Sequence, residues 1–286
     1  MAHTILVTGA TGTVGSEVLR LLKGRDGIQV RAALRNLQKK DSVAGPNVEP
    51  VLLDYDKPAT FAAACQGADA IFIVPPFSPN GVEQAKAFID AARAAGVRHV
   101  VKLSVIRSIG DITVRRWHEA INDHLKKSGM TWTILLPGGF MQNFVETAAP
   151  GPDGNLYAPA GDSASAFIDV RDIAEVAAKA LTEPGHVGRE YTLTGPADVS
   201  YAEAAAIMSE ASGRAIRFVD VPESAARQGM LAAKMPEWVV DAILEIHAAA
   251  RGKHGSEITT TVADVVGHPA RTFREFARDY AAAWKS

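Results

Sequence analysis

A β-rich run at residues 4–8 leads directly into Gly9-Ala10-Thr11-Gly12-Thr13-Val14-Gly15, and residues 14–22 that follow are apolar at helical spacing. No other feature constrains the fold as much as this succession of strand, glycine turn and helix. The glycines let the backbone turn sharply, approach a pyrophosphate without a Cβ in the way and pack the helix against its strand, while N–H groups of the helix start stabilise phosphate charge. Glycine spacing alone is weak evidence, and the position between strand and helix gives it force. It predicts an open α/β sheet binding a dinucleotide at Gly9, Thr11, Gly12, Thr13, Val14 and Gly15.

The first half of the chain repeats that unit. Strand-like runs at 30–34, 48–53, 70–74, 100–105 and 131–136 alternate with helical segments at 58–65, 82–95 and 117–128. Short apolar strands of this kind belong to a parallel sheet covered by helices on both faces. Gly24, Gly96 and Gly129 each stand just beyond a helical run, where a left-handed residue closes a helix. After Pro137 the alternation breaks into Pro- and Gly-rich stretches such as 150–154. A strand-like 167–171, a helix at 172–181 and a strand at 189–194 follow, and Ser200 with Glu203 and Thr272 with Glu275 form capping boxes for later helices. The pattern predicts an α/β fold: a Rossmann-type doubly wound parallel sheet in residues 1–150, to which 165–195 returns, and a smaller, mostly helical lobe in 196–286.

Composition narrows the function. With 286 residues, 47% hydrophobic and 22% charged, the chain is globular rather than disordered. A formal net charge of -2 gives no reason to expect nucleic acid or an anionic membrane, so the expected partner is a small molecule, and a homo-oligomer is compatible with that. Cys65 is the single cysteine, and neither a signal-peptide start nor an apolar membrane span is evident, which places the protein in the cytoplasm. His118 and His124 are six apart and do not share a helix face as paired metal ligands do, and no Gly-x-Ser-x-Gly elbow exists for a hydrolase, so no metal site is expected.

The end of the second strand, Ala32-Ala33-Leu34-Arg35-Asn36, lacks the carboxylate that binds a ribose 2′-OH in NAD sites. Arg35 suits a 2′-phosphate, which makes NADP(H) the expected cofactor; the alternative is a solvated loop arginine.

Taken with the Leu34-Arg35-Asn36 turn, Leu53-Asp54, the stretch from Ser128-Gly129 through Pro137-Gly138-Gly139-Phe140 to Asn143, and Tyr191 to Pro196, the glycine loop resembles the NmrA-like branch of the atypical short-chain dehydrogenases/reductases. Within that branch the chain is similar to bacterial NADPH-dependent quinone and triphenylmethane-dye reductases. The resemblance implies that Asp54 lies near the adenine, unless it is a turn carboxylate, and that Val74 and Pro75 line the ribose and nicotinamide side. It further implies that Pro137, Gly138 and Phe140 form the nicotinamide-side loop. Phe77, Trp117, Met141, Asn143 and Phe144 are the candidate substrate pocket, and Met230, Met235 and Trp238 could join them.

By the family spacing the Tyr-x-x-x-Lys pair of the superfamily falls on Val114 and His118, so the pair is absent. A simple ketone reduced by hydride becomes a basic alkoxide that needs a positioned acid, whereas a quinone, dye or imine does not create so basic a product. The expected activity is therefore hydride transfer from NADPH to a flat conjugated acceptor. Ser104, at the superfamily's serine position, and His118 are the catalytic candidates, although Ser104 could simply cap backbone and His118 could be a packing residue. Lys102 is assigned to the opposite strand face from Ser104. The alternative function is a non-catalytic NADP(H)-sensing regulator.

Overall fold

Strands too short and apolar to stand alone, separated by glycine-closed helices, assemble here into a seven-stranded sheet. The computed structural model describes residues 2–251 and 256–285. Its elements are β1 (His3–Val7), α1 (Thr13–Leu22), β2 (Ile28–Leu34), β3 (Val48–Leu52), α2 (Phe61–Cys65), β4 (Ala70–Ile73), α3 (Gly81–Ala94), β5 (His99–Leu103), α4 (Thr113–Lys127) and β6 (Thr131–Pro137). There follow β7 (Asn155–Ala158), β8 (Ala164–Ser165), α5 (Val170–Thr182), β9 (Arg189–Leu193), β10 (Val199–Ser200), α6 (Tyr201–Ser212), β11 (Arg217–Asp220), α7 (Glu223–Ala232), α8 (Glu237–Ala250), α9 (Thr261–Val266) and α10 (Phe273–Tyr280).

The sheet runs β3-β2-β1-β4-β5-β6-β9. β1 pairs in parallel with both β2 and β4, so the strand order reverses beside β1, the place where open α/β sheets bind ligands. Gly24, Gly96 and Gly129 have φ of 70, 84 and 86°, the left-handed conformation that a helix end demands and that a side chain resists. Apolar side chains of β4, β5 and β6 meet α3 and α4 in one buried cluster that includes Ile71, Val100, Ile134, Phe88 and Leu125.

The chain divides into two units. The first comprises Met1–Val105, Trp117–Leu136 and Val170–Thr192, and the second Ile106–Arg116, Pro137–Asp169 and Leu193–Ser286. The second unit thus begins at Pro137, ahead of the expected boundary at 150, and takes in a segment from between β5 and α4. Nor is it simply helical: β7 pairs in parallel with β11, and β8 antiparallel with β10. The strand expected at 167–171 does not form. Ile168 makes only an isolated bridge to Phe140, and α5 starts at Val170 with Asp172 in its first turn, where a carboxylate favours a helix start over a strand.

Phe144 centres the core of the second unit, edge-on to Phe167 and Phe273, with the Trp284 indole N–H donating to its carbonyl at 2.9 Å. Among the described residues no helix is long and apolar enough to cross a membrane, and no three His, Cys, Asp or Glu side chains are grouped to hold a metal ion.

Candidate functional site

At the end of β1 the Thr8 N–H donates to the Phe72 carbonyl at 3.0 Å and Thr8 Oγ1 accepts the Val74 N–H at 2.8 Å, tying β1 to β4 where the strand order reverses. Gly9 then turns with φ of 62°. A Cβ on Gly15 would lie 2.2 Å from the Gly9 carbonyl oxygen and 2.8 Å from that of Thr8, so the first turn of α1 seats directly on the loop only because residue 15 has no side chain. Gly12 caps α1 without a side-chain hydrogen bond, and the first turn holds no acidic residue. Thr11 and Gly12 are exposed while Val14 is buried, so Val14 offers a ligand only its backbone. An open helix start without a carboxylate and without a capping side chain fits a dinucleotide diphosphate.

Arg35 follows directly on β2 and is exposed. Its charge bears on Asp54, whose carboxyl group burial pushes up, but the Asp56 N–H at 3.1 Å, Lys57 Nζ at 3.2 Å and Arg35 together hold it below its ordinary range. Asp54 is thereby committed to its own turn, with both oxygens engaged. Val74 and Pro75 are half-buried after β4, and Phe77, 50% exposed, lies 6.0 Å from the Trp117 ring centroid.

The layer between β5 and α4 carries a polar group that sequence reasoning only half found. Ser104 Oγ accepts a hydrogen bond from the Asn122 amide at 3.0 Å, and Lys102 Nζ lies 3.2 Å from His118 Nδ1. Lys102 and Ser104 therefore face α4 together, and the assignment of Lys102 to the opposite face is corrected: side chains alternate along a strand, so residues two apart share a face. Burial, reinforced by Lys102, holds the His118 imidazolium well below its usual range, and burial does the same to the Lys102 ammonium. Val114, at the expected tyrosine position, is buried with Ile112 and Ala242 in an apolar cluster of the second unit.

In the second unit Pro137 accepts the Ile106 N–H at 2.9 Å and Gly138 donates to the Leu193 carbonyl at 2.9 Å, fixing the loop after β6. Phe140 and Asn143 are half-buried, whereas Met141 and Phe144 are each 1% exposed in the core. The core placement of those two accounts for them by packing. A cavity of about 150 Å³ opens beside the same loop, lined by Gly138, Gly139, Ile106, Ile109, Ile246 and Ala249 with Thr194, Ser256 and Glu257 among its polar groups. Among the described residues of this unit named from the sequence, Gly138 lines it, and Phe140, Met141, Asn143, Phe144, Met230, Met235 and Trp238 do not. The signal was present in α8: Ala242, Ile246 and Ala249 recur at the spacing of one helix face, with Ile246 and Ala249 on the cavity wall.

The fold and the loop define a dinucleotide-binding protein of the Rossmann type. The NmrA-like family model matches residues 1–277, and the chain belongs to that family. It is 41% identical over 283 residues to the NAD(P)H azoreductase of Xenophilus azovorans, covering 98% of this chain and 99% of that one. It is also similar to an NADPH-dependent quinone oxidoreductase of Escherichia coli solved with NADPH, at 25% identity and a TM-score of 0.82 over 96% of this chain and 98% of that one. The triphenylmethane reductase of a Citrobacter species shares the fold, with a TM-score of 0.85 at 24% identity over 99% of this chain and 100% of that one. The expected parallel sheet, family and NAD(P)H-dependent reductase class, with NADP(H) as cofactor, all agree with these relatives.

Proposed function

We propose that this chain is an NADPH-dependent reductase of a small, flat, conjugated acceptor such as an azo compound, a quinone or a dye. The observation that carries the reading is the open start of α1, capped by Gly12 and free of acidic residues, with the exposed Arg35 guanidinium at the end of the neighbouring strand. Backbone N–H groups from Gly12 to Gly15 would hold the diphosphate, Arg35 the 2′-phosphate, and Val74 and Pro75 would flank the ribose. NADPH supplies the hydride when bound.

The chain's own residues do the rest. The cavity beside Gly138 has on the order of the space that one six-membered aromatic ring needs, with Ile106, Ile109 and Ile246 on its apolar wall and Thr194, Ser256 and Glu257 as its polar groups. Ser104, whose hydroxyl accepts from the Asn122 amide, and His118 are the side chains assigned here to orienting an acceptor and to protonating a reduced quinone or azo group. Val114 at the tyrosine position leaves no phenol to protonate the alkoxide of a simple ketone.

Calorimetry with NADPH and NADH, followed by nicotinamide absorbance in the presence of an azo dye, a benzoquinone and a triphenylmethane dye, tests this. Preferred binding of NADPH with oxidation by one acceptor is the expected result; tight binding with no oxidation by any of them would overturn it in favour of a cofactor-sensing protein.

A further inference from the structure

Lys102 is 0% exposed, and among the described residues its ammonium meets no carboxylate: Nζ donates to the Leu103 carbonyl at 3.2 Å and lies 3.2 Å from His118 Nδ1. A buried ammonium without a counter-ion is costly, and an apolar side chain of the same length would fill the space without that cost. The placement is also held from two points. His118 and Asn122 stand one helical turn apart on α4, Lys102 and Ser104 two residues apart on β5, and each helix residue contacts one strand residue, so rotation of α4 would break both contacts at once.

We infer that Lys102 is the proton reserve of the reduction, handing a proton to His118 Nδ1 as His118 releases its Nε2 proton to the reduced acceptor. The inference rests on the reductase reading above and on His118 as donor. Where the acceptor is a quinone or an azo compound, hydride reduction would leave an anionic oxygen or nitrogen, which forms a bond to hydrogen as the Nε2–H bond breaks. The Nδ1–H bond forms as an Nζ–H bond of Lys102 breaks. His118 stays neutral throughout with its proton moved to the other nitrogen, Lys102 is left as a neutral amine, and a solvent proton restores the pair. Lys102 is thus a positioning and proton-supplying residue acting through His118.

The surroundings leave the proton to these two groups. The flanking strands β4 and β6 carry no titratable side chain. On α3, Asp90 is held by His124 at 2.9 Å and Glu83 by Lys86 at 2.9 Å. On α4 itself, Arg115 lies against Asp111, and Glu119 is the neighbouring carboxylate in sequence. Lys102 is the charge that bears on His118, and burial is what bears on Lys102.

Nitrogen-15 NMR of the imidazole in the intact wild-type protein gives the first test, because it needs neither turnover nor a variant. The expected tautomer carries its proton on Nε2, with Nδ1 accepting from Lys102; a proton on Nδ1 would mean that His118 donates to a neutral amine and would overturn the inference. Lys102→Met keeps the stem and removes the amine. It should lower kcat with NADPH and a benzoquinone about 100-fold and leave KM and NADPH affinity unchanged. A folded Lys102→Met enzyme with wild-type kcat and pH profile overturns the proposal. His118→Phe separates the two readings: if it keeps kcat, the donor assignment falls and Lys102 with it, whereas loss of kcat there with none in Lys102→Met removes Lys102 alone.

Discussion

The Asn122 side-chain amide donates to Ser104 Oγ at 3.0 Å, and the Asn122 carbonyl oxygen, buried beside it, has no hydrogen-bond partner. Ser104→Ala strands the amide as well and should cost about 1–3 kcal/mol of stability, because a buried donor loses water without regaining a partner. Asn122→Leu removes both polar groups and should cost less. Urea unfolding of the two variants decides it: a larger loss for Asn122→Leu would mean that the bond is worth little in this layer.

Gly15→Ala forces a Cβ to 2.2 Å from the Gly9 carbonyl oxygen, and the obstacle is backbone rather than a movable side chain. The variant should lose about 1–3 kcal/mol and displace the loop from α1. Its signature is a lowered unfolding midpoint together with weakened NADPH binding by calorimetry.

Arg35→Gln removes the exposed cation at the end of β2. A charge-assisted hydrogen bond to phosphate contributes about 1.5–3 kcal/mol, so NADPH affinity should fall by about 10- to 100-fold while NADH affinity hardly changes. Equal losses for both nucleotides would remove Arg35 from the 2′-phosphate.

Ala249→Phe fills part of the 150 Å³ cavity from α8. KM for a bulky dye should rise at least tenfold with NADPH affinity preserved, because the added ring takes space the acceptor needs. Steady-state kinetics with large and small quinones would show the discrimination.

Asp54 is held below its ordinary carboxylate range by the Asp56 N–H, Lys57 and Arg35, against the opposing effect of burial. A group depressed in the folded state contributes stability above the carboxylate range and loses it as pH falls, so Asp54→Asn should flatten the acid limb of the stability curve between about pH 5 and pH 3. Urea midpoints measured across that interval check it.

Local rules read the parts of the molecule that obey local physics. Gly24, Gly96 and Gly129 end their helices with positive φ, and Ser200 and Thr272 make the reciprocal bonds of capping boxes with Glu203 and Glu275. The parallel pairing of β7 with β11 was not legible, since residues 155–158 and 217–220 meet only through tertiary packing. Strand alternation by itself puts Lys102 on the face of Ser104, two residues on, whereas its contact with His118 joins residues 16 positions apart and has no local signal. The cavity draws on Ile109, Gly138 and Ile246, three segments that no motif links. Met141 and Phe144 are buried in the core, and a large apolar side chain after a strand end looks alike in sequence whether it faces a ligand or a core.

The second unit is stitched from three stretches of chain, and its core closes Phe144 against Phe273, Phe276 and Trp284. During synthesis that core has no complete set of partners until Trp284 has left the ribosome, whereas every strand of the seven-stranded sheet has been made by Leu193. For the interval in between, Phe144 and Phe167 gain Tyr201 and Met208 as partners but still lack Phe273, Phe276 and Trp284, which makes this the stage at which a chaperone would matter most and a stalled ribosome would do most harm.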